Sequence, residues 1–135
     1  MEVFVSYAQQ DTPIARAVAR GLSDEGYKVA LAEAELAPGD NWALKIGEAL
    51  ERSRALVVLI SPDAVKSNHV RRELEFALTS PQFAHRIFPV MIRPTPQGVP
   101  WILRTLNMLV TGPSPSEVRK AVLDAFRKSQ VAIAR

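Results

Sequence analysis

The residue with the greatest chemical potential in this chain is Glu73, within Ser67-Asn-His-Val-Arg-Arg-Glu73-Leu74. It stands three residues after Val70 and four before Ala77, so on a helix it borders the apolar face. A carboxylate there is either partly buried beside a cleft or reaching out to pair with a base. Hydroxyl groups supply the other candidates. Ser6 and Tyr7 end the run Glu2-Val-Phe-Val-Ser-Tyr7, and Ser61 ends Leu56-Val-Val-Leu-Ile-Ser61, just before Pro62. Strand side chains alternate, so one of Ser6 and Tyr7 must point away from any ligand.

Several other chemistries lack their residues. No G-x-G-x-x-G, G-x-x-x-x-G-K-[ST] or G-x-S-x-G sequence occurs, which removes support for dinucleotide-fold, P-loop and nucleophile-elbow readings. There is no cysteine, and the two histidines, His69 and His85, are far apart, so neither disulfides nor a zinc site is expected. A phosphoacceptor domain would need an aspartate at the end of the third strand, where Ser61 stands.

The elements that must position these groups alternate between strand and helix. Strands are expected at Val3–Tyr7, Lys28–Leu31, Arg54–Ile60, Ile87–Ile92 and Leu106–Val110. The third is apolar on both faces, as a central parallel strand should be. Thr12 is a suitable N-cap with Pro13 behind it, and Ile14, Val18 and Leu22 make one helical stripe ending near Gly26. Trp42, Ile46, Ala49 and Leu50 mark a second helix, and Val70, Leu74, Ala77 and Leu78 a third. Ser114-Pro-Ser-Glu117 has capping-box spacing before Val118, Ala121, Val122, Ala125 and Phe126, after which the apolar stripe fades. Ala32 to Asp40, with the turn pair Pro38-Gly39, and Arg93 to Pro100 read as loops. The pattern implies an α/β fold of three layers with a five-stranded parallel sheet in the flavodoxin-like order 2-1-3-4-5. Its switch point lies between strands 1 and 3. Tyr7, Ser61 and the helix carrying Glu73 then gather at the edge where such sheets bind ligands.

A chain of 135 residues with 47% hydrophobic composition is expected to form one packed domain, drawn at residues 1–128 with a tail at 129–135. The net charge of +3 is spread over outward helix positions without an aromatic-interleaved motif, so no nucleic-acid partner is expected. No apolar run reaches the roughly 18–20 residues that span a bilayer, and with the chain running straight into a strand no signal peptide is expected. A cytoplasmic location without membrane contact is the expectation.

Taken together, these segments resemble a family. Val3-Phe-Val-Ser-Tyr7-Ala8 with Asp11 looks like the first box of Toll/interleukin-1 receptor (TIR) domains. Leu36-Ala-Pro-Gly39-Asp-Asn-Trp42, followed by Ile46, Ala49, Leu50 and Ser53, resembles that family's BB loop and second helix. Ile60-Ser61-Pro62 and Ser67 through Glu73-Leu74 resemble its third strand and the following helix. The resemblance covers about the first 93 residues in order and spacing. It implies the TIR fold and, for enzymatic members, cleavage of NAD⁺ at the nicotinamide–ribose bond. Glu73 matches their catalytic glutamate. Positive charge builds on the ribose as nicotinamide departs, and a nearby carboxylate stabilises it. Nicotinamide is already a cationic leaving group, so no general acid is needed. Products in the family include ADP-ribose and cyclic variants, the latter needing the adenine to return as nucleophile.

The candidate set is therefore Glu73 as the catalytic residue, with Ser6, Tyr7, Ala8, Leu36, Trp42, Lys45 and His69 around NAD⁺. NAD⁺ is the substrate; no cofactor and no metal are expected. Trp42 either stacks on a base or opens the core stripe of its helix. Lys45 either meets phosphate or is solvated. The chain departs from the family pattern at His69, where a tryptophan is usual, and at Ala32-Glu33, where an acidic residue often ends strand 2. His69 is placed to pair with Glu73 and lower its pKa. Two functions follow. One is an NAD⁺ glycohydrolase or cyclase acting after self-association in prokaryotic immunity and antiviral defence, with a fused or separate sensor domain. The other is a non-catalytic adaptor that works by TIR–TIR assembly alone.

Overall fold

In the computed structural model of the chain, residues 1–31, 42–95, 98–99, 101–104 and 106–133 are described. The apolar runs form strands β1 (Glu2–Ser6), β2 (Lys28–Leu31), β3 (Ala55–Ile60), β4 (Ile87–Met91) and β5 (Leu109–Val110). They make one sheet in the order β2-β1-β3-β4-β5, all parallel, as the alternation of elements requires. Every residue of β1 and β3 is buried, which explains why those runs carry no polar alternation.

Side-chain alternation divides the core in two. Phe4, Leu56, Val58 and Ile60 face one layer, formed by α2 (Trp42–Arg52) and α4 (Asn68–Thr79). Val3, Val5, Val57 and Leu59 face the other, formed by α1 (Thr12–Asp24) and α6 (Pro115–Ile133). Short helices α3 (Pro62–Lys66) and α5 (Trp101–Arg104) complete the chain. Neither was legible from periodicity, because each is too short to show one. Trp101 is 73% exposed, whereas Leu106 is half-buried. The fifth strand is reduced to two residues, and α6 continues beyond the apolar stripe to Ile133.

The ends of α1 illustrate local control. Thr12 is its first residue and not its cap: a 3-10 turn at Gln9–Asp11 lets the Thr12 hydroxyl donate back to the Gln9 carbonyl at 2.6 Å. Asp11 takes the N-cap position instead. At the other end Gly26 has φ +95°, its N–H donates to the Ser23 carbonyl and that of Tyr27 to the Leu22 carbonyl. That is a Schellman closure, and the left-handed backbone is why glycine stands there.

The layer of α1 and α6 is closed by aromatics. Phe126 stacks on Phe88 with ring centroids 4.3 Å apart and meets Tyr27 edge-on at 5.3 Å. Phe126 is almost fully buried, so Phe126→Ala should destabilise the domain by about 3–5 kcal/mol. The loss should appear in urea unfolding as a lower midpoint at similar slope.

Candidate functional site

Glu73 sits at a core position of α4. The buried residues of that helix are Val70, Glu73, Leu74 and Ala77, a stripe in which the carboxylate replaces an apolar side chain. The helix is fixed upstream by Ser67, whose hydroxyl accepts the Val70 N–H at 3.3 Å. Glu73 is only 2% exposed. Ser6, at the end of β1 and fully buried, donates its hydroxyl to Glu73 Oε1 at 2.6 Å. The other oxygen, Oε2, is buried and has no hydrogen-bond partner among the described residues. Burial pushes the carboxyl up to about 7, while the Ser6 hydroxyl pulls the other way.

A second polar group lies on the same edge of the sheet. The fully buried Asp11 accepts the Ser61 hydroxyl at 2.6 Å through Oδ2 and the Arg93 Nε at 3.3 Å through Oδ1. Ser61 also accepts the Ala64 N–H and so caps α3. These bonds tie the β1–α1 loop, the end of β3 and the end of β4 together. The sequence marks Asp11 only as part of the first box and places Arg93 in a loop. The available signal was an isolated aspartate one residue ahead of Thr12-Pro13, at a strand-to-helix turn.

The expected site residues are brought together only in part. Ser6 meets Glu73, and Ala8 packs in the same core layer. Tyr7 does not join them. It packs among Val3, Val5, Ile14 and Val57 on the opposite face of the sheet, as the period of two demands. His69 is exposed near the start of α4 and does not set the Glu73 pKa. The expected lowering by His69 is thus replaced by a rise, because desolvation outweighs the Ser6 hydrogen bond. Lys45 is half-buried on α2, one position before Ile46. Trp42 is the first residue of α2, and its side chain, like Leu36 and the whole of 32–41, lies outside the described residues. A groove of about 1100 Å³ between the end of α4, β4 and α6 lies elsewhere and does not include Glu73. Among the described residues no cluster of potential metal ligands occurs, and no helix is long and apolar enough to cross a membrane.

An open parallel sheet flanked by helices defines a doubly wound α/β domain, and the buried carboxylate on the helix after β3 lies at the edge where such sheets bind ligands. The model of the TIR domain matches residues 3–122, and the chain belongs to that family. Over 87 residues it is 32% identical to a 2′ cyclic ADP-D-ribose synthase, BtTIR, of Bacteroides thetaiotaomicron. That alignment covers 64% of this chain and 30% of the relative, so the chain spans about a third of the protein it matches. Among solved structures, the TIR domain of the Toll-related receptor TRR-2 from Hydra magnipapillata superposes with a TM-score of 0.71 at 26% identity. The match covers 96% of this chain and 94% of that one. The TIR domains of the activated Roq1 resistosome share the fold, with a TM-score of 0.56 at 23% identity over 67% of this chain and 56% of theirs.

The raised Glu73 pKa has a measurable thermodynamic consequence. Between the ordinary value of 4.5 and about 7 the folded state holds a proton that the unfolded state releases. The proton's contribution is therefore full below 4.5, falls away as pH rises, and is gone above about 7. Glu73→Gln, which stays neutral, should gain stability relative to wild type across that window, by about 1–3 kcal/mol at pH 8. Urea unfolding of both proteins at several pH values measures the difference, which should level off above pH 7 or so.

Proposed function

We propose that this TIR domain cleaves NAD⁺ at the nicotinamide–ribose bond, with Glu73 as the catalytic carboxylate. The observation that carries the reading is the buried Glu73, one oxygen held by Ser6 and the other without a partner among the described residues. A carboxylate kept at such cost at a ligand-binding edge is the kind of group that active sites retain. The relative named as a 2′ cyclic ADP-D-ribose synthase supports the same substrate class.

In this reaction the bond from the anomeric carbon to the pyridinium nitrogen breaks, and its electron pair stays with nicotinamide, which leaves neutral. Charge builds on the ribose, where ionised Glu73 stabilises it. The carbon then bonds an oxygen nucleophile, whose proton passes to the carboxylate or to solvent. Water gives ADP-ribose. A ring closed at a 2′ position calls for a ribose hydroxyl of the same molecule, so the adenine is not the returning nucleophile in that case. Ser6, Ala8, Trp42, Lys45 and Leu36 surround the substrate in this proposal. Tyr7 shapes the edge from the far side of the sheet.

Glu73→Ala should lower nicotinamide release by about 10²-fold or more with the circular dichroism spectrum unchanged. A folded variant that cleaves NAD⁺ at the wild-type rate would remove Glu73 from the reaction. In wild type the rate should fall as pH drops through about 7, since the carboxylate is the active form. The adaptor reading, favoured by exposed His69 in place of the family's tryptophan, predicts no release of nicotinamide at any pH.

We further propose that activity requires self-association through TIR–TIR contacts, the long β2–α2 connection being completed by a neighbouring copy, within a prokaryotic immune or antiviral system. A site completed by a neighbour's surface lowers the cost of binding substrate. Specific activity should then rise with protein concentration over roughly a hundredfold range, and Gly39→Pro should suppress the rise. Constant specific activity in a dilute monomer would count against assembly.

A further inference from the structure

We propose that Ser6 is the positioning residue of this site: its hydroxyl grips Glu73 by Oε1 and so presents Oε2 to the ribose. The inference rests on the reading of Glu73 as the catalytic carboxylate.

The geometry gives Ser6 unusual authority over its neighbour. It is the last residue of β1, a strand paired on both sides: Val5 stands opposite Leu31 and Val57, and Ser6 opposite Val58. The serine backbone is thus held by the β3 ladder directly and by the β2 ladder one residue earlier, and its short side chain has little freedom of its own. A serine hydroxyl has one proton to donate, and at 2.6 Å it is committed to Oε1. Holding one oxygen of a planar carboxylate fixes the plane, and with it the place of the other oxygen. Among the described residues the surroundings offer no second handle. Val70 and Leu74 flank Glu73 on α4, and Phe4 and Ala8 flank Ser6 in the same layer.

Charged or titratable groups on the helices packed around Glu73 are Lys45, Glu48, Glu51 and Arg52 on α2, Asp63 and Lys66 on α3, and His69, Arg71, Arg72 and Glu75 on α4 itself. None of them is a cause of its altered acidity, which comes from burial and from Ser6. Ser6 is therefore the described group that favours the ionised form. One hydroxyl has two effects: it selects which oxygen is free, and it sustains the charge that the reaction uses.

The test uses the full chain as wild type, Ser6→Ala and Ser6→Thr, with carboxyl-¹³C-labelled glutamate. Glu73 is assigned by loss of its signal in Glu73→Gln. Its titration is followed by NMR, and nicotinamide release is measured against pH on the same proteins. In Ser6→Ala the Glu73 midpoint should move upward by about one pH unit. The acid limb of the rate should move with it. At the alkaline plateau kcat should fall about tenfold with KM little changed, as expected when orientation and not binding is lost. Ser6→Thr keeps the hydroxyl and should restore both readings. If Ser6→Ala does not fold, Ser6→Cys, similar in size with a weaker donor, takes its place with the same expected direction. A folded variant with the wild-type midpoint and the wild-type kcat would overturn the proposal. If Glu73→Ala still releases nicotinamide, the catalytic reading falls separately. The NMR midpoint then decides alone: a shift in Ser6→Ala supports the grip, and no shift refutes it.

Discussion

One hydroxyl against one buried carboxylate sets the terms for this domain. Glu73 occupies a position on α4 that packing alone would give to leucine or alanine, between Val70 and Ala77 on the core stripe. Burial of an isolated ionised carboxylate costs far more than a domain can spare. Two things make it tolerable: the Ser6 hydroxyl, and a pKa near neutrality that lets the group shed its charge. Ser6 can serve only because β1 lies between β2 and β3, which brings the end of that strand under α4. Sheet order and site are thus one constraint.

The sheet also separates two polar devices at one edge. Ser6 and Glu73 lie on the side of α2 and α4. Asp11, Ser61 and Arg93 tie the start of α1 to the ends of β3 and β4. In a doubly wound sheet the crevice opens where the chain after β1 and the chain after β3 leave in opposite directions. The Asp11–Ser61 bond joins those two departing chains. Asp11 and Ser61 bond to each other, and among the described residues the buried carboxylate with an open oxygen is the one on α4.

Much of this was legible in the sequence, for identifiable reasons. Uninterrupted apolar runs such as Leu56 to Ile60 announce central parallel strands, and the i, i+3, i+4 stripes of α1, α4 and α6 announce their buried faces. Glu73 stood out because it broke a stripe. Its pairing with Ser6 did not, since residues 67 positions apart leave no periodic trace. The alternation rule required that Ser6 and Tyr7 part company but not which of them faced α4. Long-range packing decides that. His69 misled for a related reason: helical spacing made it a neighbour of Glu73, yet one side chain turns into the core and the other to solvent.

The sheet's outer margins are unequal. At one margin β2, Lys28–Leu31, begins with a lysine whose side chain is 78% exposed. At the other, β5 contributes two residues, Leu109 and Val110, before the chain leaves for α6. A strand that short presents few open backbone donors and acceptors to a foreign strand, however exposed Val110 is. A charged side chain at the opposite margin discourages the same event. The sheet therefore resists growing, strand by strand, into a fibril.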